Sequence, residues 1–182
     1  MLKKRGAFMD PMRSFLTEEN MLIHKEYMKT LRLKHSISEK SFPEIKDKSI
    51  FEIEKMRLPI SSKEEILENL KDYLSHEIYF RSFSQSIIAP DIIKMRYSSP
   101  EAFLYEIYLL ASKKNQGFIY VFAGNKGVPE IIHSDDIKRM KCMPRLALDI
   151  SEHSYFLDYR FEKDRYIRSA ISNMNLSLLD NT

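Results

Sequence analysis

The stretch of sequence that decides the fold is PRLALDISEHSYFLDYRFEKDRYI, residues 144–167. Its first part, RLALDI, has the short apolar pattern of a buried β-strand and contains Asp149 at the end of the apolar run. A carboxylate at such a position is costly to bury unless it is paired or binds a metal. His153 follows four residues later, so both side chains can converge on one ion if the chain turns between them. Asp149 and His153 are therefore candidate metal ligands.

Two further histidines lie on apolar faces of helices predicted upstream. Thr17 offers an N-cap for the first helix, whose apolar face is predicted to contain Met21, His24, Met28 and Leu31. Ser61 or Ser62 is predicted to cap the second helix, whose stripe is Ile66, Leu70, Tyr73, His76, Phe80 and Phe83. A single histidine on such a face is more often a core residue than a ligand. Three imidazoles and one carboxylate together form a set that suits iron, manganese or zinc rather than calcium or magnesium.

The remaining sequence predicts an α+β fold with two parts. Residues 1–15 are expected to form an arm, and a short helical piece is expected around residues 50–56. A strong signal for the start of a helix is present at Ser99, Pro100 and Glu101. From Gly117 onward the sequence becomes rich in residues with high β-strand propensity. The predicted strands are GFIYVFAG, VPEII and RLALDI, followed by a final helix over residues 164–178.

The domain boundary is predicted near Pro90, which interrupts the pattern. It divides the chain into an N-terminal helical hairpin domain, residues 1–90, and a C-terminal α/β domain, residues 91–182. The second domain is expected to contain a small three-stranded antiparallel sheet.

Composition excludes several classes of protein. The chain has 182 residues, a formal net charge of +3 and a single cysteine, Cys142, so an internal disulfide and a thiolate metal cluster are excluded. No apolar run approaches the roughly 20 residues that cross a bilayer. We therefore expect a cytoplasmic protein without a membrane partner, with a mitochondrial location left open. The mild positive charge favours the approach of a small anion and is too small to imply nucleic acid.

These residues resemble the iron/manganese superoxide dismutase family. Residues 144–167 align without a gap with the family's late signature, in which a strand ending in Asp is followed by W-E-H-A-Y-Y and D-Y-x-N-x-R-P-x-Y. SHEIYFRSF resembles the family's N-H-x-x-x-W helix segment and LTEENMLIH its I-S-x-x-T-x-x-x-H lead-in, while GFIYVF is similar to the strand G-W-x-W-L. The resemblance covers nearly the whole chain after residue 14, in the family's order.

The resemblance implies a metal centre, an activity and a homodimer. It implies one iron or manganese ion per chain, bound by His24, His76, Asp149 and His153. The implied reaction is the disproportionation of superoxide to oxygen and hydrogen peroxide. Glu152 and Tyr155 would lie at a twofold interface between two copies of the chain. The choice between iron and manganese stays open.

The chain departs from the family around these ligands. Met28 and Arg32 stand where the family has a gateway histidine and tyrosine, so Tyr27 is a candidate substitute and Arg32 a candidate cationic guide for superoxide. Asp72 and either His133 or Ser134 lie near the two usual positions of an amide side chain. The candidate catalytic residues are Tyr27, Arg32, His133 and Tyr155. The positions where the family prefers tryptophan hold Phe80, Phe118, Tyr120 and Ser151.

Two other functions compete with this interpretation. A dismutase-fold protein without activity would serve as a structural or ribosome-associated RNA-binding component, with phosphate contacts from Lys3, Lys4, Arg5 and the loop of residues 138–141. Four retained ligands favour the enzyme, because a scaffold has no need of them. A metal-dependent hydrolase is disfavoured, since no general base stands beside the ligands.

Overall fold

The computed structural model of the protein describes residues 11–84, 89–124, 128–137 and 141–180. An N-terminal helical half is followed by a mixed half with a three-stranded antiparallel sheet, so the predicted α+β class is confirmed. The helices are α1 (Glu18–Ser41), α2 (Ile50–Lys55), α3 (Ile60–Arg81), α4 (Pro100–Lys113), α5 (Glu152–Tyr159) and α6 (Lys163–Ile171). The strands are β1 (Phe118–Ala123), β2 (Pro129–His133) and β3 (Leu146–Asp149).

Helix α1 forms one arm of the hairpin and begins as predicted. The Thr17 side chain caps it by accepting a hydrogen bond from the backbone N–H of Asn20. The helix continues to Ser41, since neither glycine nor proline interrupts the chain before Pro43. Its buried residues include Met21, His24 and Leu31, and so follow the predicted apolar face.

Helix α3 forms the other arm and packs against α1. It begins at Ile60, after Pro59, without a side-chain cap, so the prediction that Ser61 or Ser62 caps it is wrong. The short helix α2, unlike α3, has a side-chain cap at its N-terminus, because Ser49 and Glu52 form a reciprocal capping box. A small apolar cluster joins α2 to α3 and contains Ile45, Ile50, Ile53, Ile66 and Leu70.

The sheet of the C-terminal half has the order β2-β1-β3, with antiparallel pairing throughout. Strand β1 is central and buried along most of its length, which matches its nearly unbroken apolar sequence. The register places Phe118 opposite Asp149 and Ile119 opposite His133. The β1–β3 pairing therefore fixes the position of the Asp149 backbone.

Helix α6 ends at Ile171, seven residues before the predicted end at Leu178. Met174 pairs with Phe83 in an isolated antiparallel bridge instead of continuing the helix. The backbone N–H of Asn175 donates to the Ser82 carbonyl at 2.7 Å. Tertiary pairing between the middle of the chain and its C-terminal part thus outweighs the helical pattern, and a short 3₁₀ helix, Leu176–Leu179, follows.

The part of the predicted arm that the structure describes, residues 11–15, contributes to the core. Met12, Phe15 and Leu16 are buried in the main core, and residues 11–14 form a 3₁₀ helix. The predicted basic contacts at Lys3, Lys4 and Arg5, and at residues 138–140 of the basic loop, lie outside the described residues. Within the described part of the chain, every helix is too short or too polar to cross a membrane.

Candidate metal centre

Four elements bring one candidate ligand each to a single point between the two halves. His24 comes from α1, His76 from α3, Asp149 from the end of β3 and His153 from the first turn of α5. One nitrogen or oxygen atom from each side chain lies within 4.8 Å of the others. We call these four residues the metal centre. The structure therefore brings together all four residues singled out from the sequence.

The three imidazoles converge on one carboxylate oxygen. Asp149 Oδ2 lies 3.8 Å from His24 Nε2, 3.5 Å from His76 Nε2 and 3.0 Å from His153 Nε2. The Nε2 atoms of His76 and His153 are themselves 3.5 Å apart. A set of three imidazole nitrogens and one carboxylate oxygen at such distances has the donor chemistry of an iron, manganese or zinc site.

Two atoms of the metal centre are buried and lack a partner. His24 Nε2 and Asp149 Oδ2 have no hydrogen-bond partner among the described residues, and both side chains are fully buried. Each unsatisfied buried group costs about 1–3 kcal/mol. An ion coordinated by both atoms would remove this cost, so the residues present fit a metal.

The Nδ1 atoms of His24 and His76 are held by backbone carbonyls of the helices that carry these residues, α1 and α3. His24 Nδ1 lies 3.2 Å from the Asn20 carbonyl, and His76 Nδ1 lies 2.9 Å from the Asp72 carbonyl. A carbonyl oxygen only accepts, so each Nδ1 carries the proton and each Nε2 lone pair is free. Each carbonyl precedes its histidine by four residues, which is the spacing that places both on one helix face.

Asp149 is held through both its side-chain carboxylate and its backbone carbonyl. Its Oδ1 accepts the backbone N–H of Ser151 at 2.9 Å, which leaves Oδ2 facing the imidazoles. The Asp149 carbonyl accepts the Tyr166 hydroxyl at 2.6 Å, and this hydroxyl lies 3.1 Å from the Tyr79 hydroxyl. Burial acts to raise the pKa of the Asp149 carboxyl, but the imidazoles of His153 and His24 outweigh it and hold this pKa well below its usual value.

Aromatic rings surround the metal centre. The rings of Phe80 and His24 meet edge to face with centroids 5.9 Å apart, and those of Phe118 and His76 do so at 5.1 Å. Tyr120 stacks on Phe118 at 5.7 Å and its hydroxyl lies 2.6 Å from Ser75 Oγ. Three of the four positions where tryptophan was expected thus keep an aromatic ring here. The fourth, Ser151, accepts the Gly117 backbone N–H at 3.0 Å instead.

A cavity of about 450 Å³ opens onto the metal centre at His153, whose side chain is 45% exposed. Tyr27 lines this cavity, with its ring centroid 5.3 Å from that of His76 and 5.8 Å from that of His153. Its hydroxyl donates to Asp72 Oδ2 at 2.6 Å. The proposed substitute for the gateway tyrosine is therefore placed at the cavity, and the two helices of the hairpin are joined there.

The other three candidate catalytic residues, Arg32, His133 and Tyr155, are not among the described residues that line the cavity. Arg32 is exposed on α1, where its positive charge acts on the Tyr73 hydroxyl. His133 is buried, with Nε2 donating to the Gln116 carbonyl at 2.8 Å and Nδ1 accepting the Asp135 N–H at 3.1 Å. Because both ring nitrogens bind backbone, His133 anchors the chain at the rim of the cavity. Tyr155 stacks on Tyr166 with centroids 5.3 Å apart.

Sequence reasoning missed the bonds that lock the metal centre to its surroundings. The Asn20 side-chain amide donates to the Ser154 carbonyl at 3.2 Å, which ties α1 to α5. Thr17 makes a second link, since its hydroxyl donates to Asp158 Oδ1 at 2.6 Å. The signal for Asn20 was its spacing, four residues before His24. The pairing of Tyr79 with Tyr166 had no local signal, because 87 residues separate them.

Comparison with protein families gives the class of this molecule. A family model described as iron/manganese superoxide dismutases, C-terminal domain, matches residues 87–182, which is more than half of the chain. The chain therefore belongs to the iron/manganese superoxide dismutase family. No curated protein matches it.

Proposed function

We propose that the chain binds one iron or manganese ion at the metal centre and disproportionates superoxide to oxygen and hydrogen peroxide. The observation that carries this proposal is the convergence of three Nε2 atoms on Asp149 Oδ2, within 3.8 Å, with two of these buried atoms unpartnered. His24, His76, Asp149 and His153 would hold the ion. Membership of the dismutase family supports the same reaction.

The chain's own residues would prepare the site for this chemistry. A bound ion would supply redox chemistry, accepting an electron from one superoxide and returning it to the next. His24 and His76 would present fixed lone pairs, because their Nδ1 protons are held by backbone carbonyls. Asp149 would contribute a negative charge in a water-poor place, and the cavity beside His153 would admit a small molecule.

Tyr27 would hold a proton at the cavity. Partial burial, the hydrogen bond to Asp72 and the nearby charges of Asp72, Asp149 and Glu68 raise the pKa of the Tyr27 hydroxyl. At neutral pH this hydroxyl therefore keeps its proton, which it shares with Asp72. The bond to Asp72 has to open before that proton can face a substrate.

We also propose that two copies of the chain associate through the surface around α5. Glu152 is exposed there, and Phe161, just after α5, has 91% of its surface exposed. An aromatic side chain so exposed loses contact with water when a partner covers it, which favours association. Phe161→Glu should shift the mass measured by light scattering from dimer to monomer, whereas Leu33→Glu on α1 should leave the mass unchanged. A monomeric unsubstituted chain would refute this part of the proposal.

The proposed activity is tested by metal content and superoxide consumption. The chain is purified after growth with iron and manganese, and bound metal per chain is measured together with superoxide consumption in the same samples. His24→Ala should lose both, because it removes one ligand. His35→Ala is the matched control on the same helix, where His35 lies beside Glu39 rather than in the metal centre. It should retain both.

The outcomes separate the competing functions. Near-stoichiometric metal with activity, both lost in His24→Ala alone, supports the dismutase. Bound metal without superoxide consumption refutes the activity and leaves a metal-binding protein of this fold. A folded chain that takes up no metal refutes the whole proposal and favours the alternative of a structural or RNA-associated component.

A further inference from the structure

The cavity at the metal centre has a sign of charge opposite to that of the whole chain. Its described lining includes three carboxylates and one ammonium group, from Glu68, Asp72, Asp135 and Lys71. The chain as a whole carries a formal net charge of +3. The net positive charge of the whole chain, which was expected to favour the approach of a small anion, is thus not found in the described lining of this cavity. We call Glu68, Asp72 and Asp135 the acidic mouth.

The acidic mouth acts on groups close to the metal centre. The negative charges of Glu68 and Asp72 reach the Tyr27 hydroxyl, whose ring lies against His76 and His153. Asp72 Oδ1 lies 3.2 Å from His76 Nδ1, so this carboxylate touches a residue of the metal centre directly. Asp135 is more exposed than Asp72, with 67% of its side chain accessible against 30%.

Unsatisfied atoms that could bind a cation lie behind His153, at the inner end of the cavity. His153 lines the cavity, and its Nε2 lies 3.0 Å from Asp149 Oδ2. Asp149 Oδ2 and His24 Nε2 are buried without a hydrogen-bond partner in the described part of the chain. A cation that enters past the acidic mouth thus finds free donors behind His153. Clefts lined by one sign of charge raise the local concentration and the association rate of ions of the opposite sign.

We propose that the acidic mouth captures divalent cations from solution and guides them to the metal centre. This inference rests on the proposed function, because it requires that the centre hold a metal. It gives the three carboxylates a role in loading the site that is separate from the reaction. The same charges oppose the entry of an anion, so the cavity is built for capture of metal at the expense of the approach rate of superoxide.

The test is the rate at which the metal-free chain takes up manganese(II) chloride. The full chain is freed of metal with a chelator, its folding is checked by circular dichroism, and uptake is followed by stopped-flow protein fluorescence at low ionic strength. Glu68→Gln and Asp135→Asn should each slow uptake about two- to fivefold, because electrostatic steering of this kind changes association rates by about tenfold or more in total. Lys71→Gln should accelerate it.

The control is Glu44→Gln, which removes the same charge from an exposed residue outside the cavity. Its uptake rate should equal that of the unsubstituted chain. Salt gives an independent measure, because the screening length falls from about 30 Å at 0.01 M to about 8 Å at 0.15 M. Uptake by the unsubstituted chain should slow with salt, and a chain with both Glu68→Gln and Asp135→Asn should slow less.

The failure of this inference is distinguishable from the failure of the proposed function. Equal uptake rates in Glu68→Gln, Asp135→Asn and Glu44→Gln, with normal final metal content, overturn the role of the acidic mouth alone. A chain that binds no manganese or iron at equilibrium overturns the metal centre and this inference together. Slower uptake in the two mouth variants with unchanged final metal content supports the inference.

Discussion

The metal centre forms the floor of the site, and Tyr27 together with the acidic mouth forms its mouth. The two regions are stabilised by different kinds of contact. At the floor, backbone groups hold His24, His76 and the Asp149 carboxylate. The Tyr166 hydroxyl holds the Asp149 carbonyl, and Asp149 Oδ2 faces the imidazoles. At the mouth, Tyr27, Asp72 and Glu68 are partly or largely exposed and interact through side chains. The floor can select an ion by geometry, whereas the mouth can only select by charge and size. The four ligands predicted from the sequence lie at the floor, and Tyr27, the predicted substitute for the gateway tyrosine, lies at the mouth.

The largest effect should come from removing the charge at the floor while its shape is kept. Asp149→Asn replaces a ligand oxygen by an amide of the same size, so the fold should persist and the affinity for iron or manganese should fall by about 100-fold or more. Competition with a chelator measures this loss. Asp136→Asn, at an exposed carboxylate that pairs with Lys114, is the control and should leave affinity unchanged. Equal affinity in Asp149→Asn would mean that the carboxylate is not a ligand.

The support beneath the floor should matter even without metal. Tyr166→Phe removes the hydroxyl that donates to the Asp149 carbonyl and that pairs with Tyr79. Two buried polar groups lose a partner, so the free energy of unfolding of the metal-free chain should fall by about 1–3 kcal/mol. Urea denaturation measures it. Tyr105→Phe, at an exposed tyrosine, should change stability by less than about 0.5 kcal/mol. A similar change in both would show that the buried hydroxyl pair contributes nothing.

A smaller effect is expected where mouth and floor meet. Asp72→Ala removes the carboxylate that lies beside His76 Nδ1 and accepts the Tyr27 hydroxyl. Loss of a residue that orients a ligand costs about 10–100-fold in metal affinity, and we expect the lower end because the Asp72 carbonyl still holds His76. The control is Glu77→Ala on the same helix, where the carboxylate accepts the Tyr73 hydroxyl. If both variants keep full affinity, mouth and floor are independent.

The smallest effect should appear in the reaction itself and should have the opposite sign to that in metal uptake. Once the chain is fully loaded, Glu68→Gln removes a negative charge from the path of superoxide, so kcat/KM should rise about twofold at low salt. Glu44→Gln should not change it. Pulse radiolysis gives the rate directly. A fall in kcat/KM with Glu68→Gln would show that this carboxylate assists the reaction rather than hindering anion entry.

The floor could be predicted from the sequence because each of its residues obeys a local rule. His24 and His76 lie on apolar helix faces, and Asp149 ends an apolar strand four residues before His153. The class of fold followed from the same alternation of helical and strand periods.

The mouth could not be predicted in the same way. Tyr27 precedes by one residue the position that helical spacing from His24 favours, and its contact with Asp72 depends on how α1 and α3 pack. Arg32 follows the family's spacing but faces solvent beside Tyr73, because its position on α1 leads away from the cavity. Long side chains that meet between elements are set by tertiary geometry, which a single sequence does not contain.

Two misjudged boundaries have the same kind of cause. Helix α6 stops early because Met174 pairs with Phe83, a contact between residues far apart in sequence. Residues 11–16 pack against the rest of the fold because Met12, Phe15 and Leu16 fill the core beside Phe83 and Tyr166. Their local sequence has no regular helical or strand periodicity that would have predicted this. In both places long-range packing decides the structure.

The four residues of the metal centre come from elements at both ends of the chain, and this gives the ion a second consequence. An ion bound by His24 and His153 together would link segments 129 positions apart in the sequence. Unfolding of either half would therefore have to release the ion. Binding only to the folded chain adds about 4 kcal/mol to the unfolding free energy when free metal exceeds its dissociation constant 1,000-fold. Metal supply would then govern how long each polypeptide survives proteolysis. When the ion is scarce, the chain would be less stable and would be degraded faster.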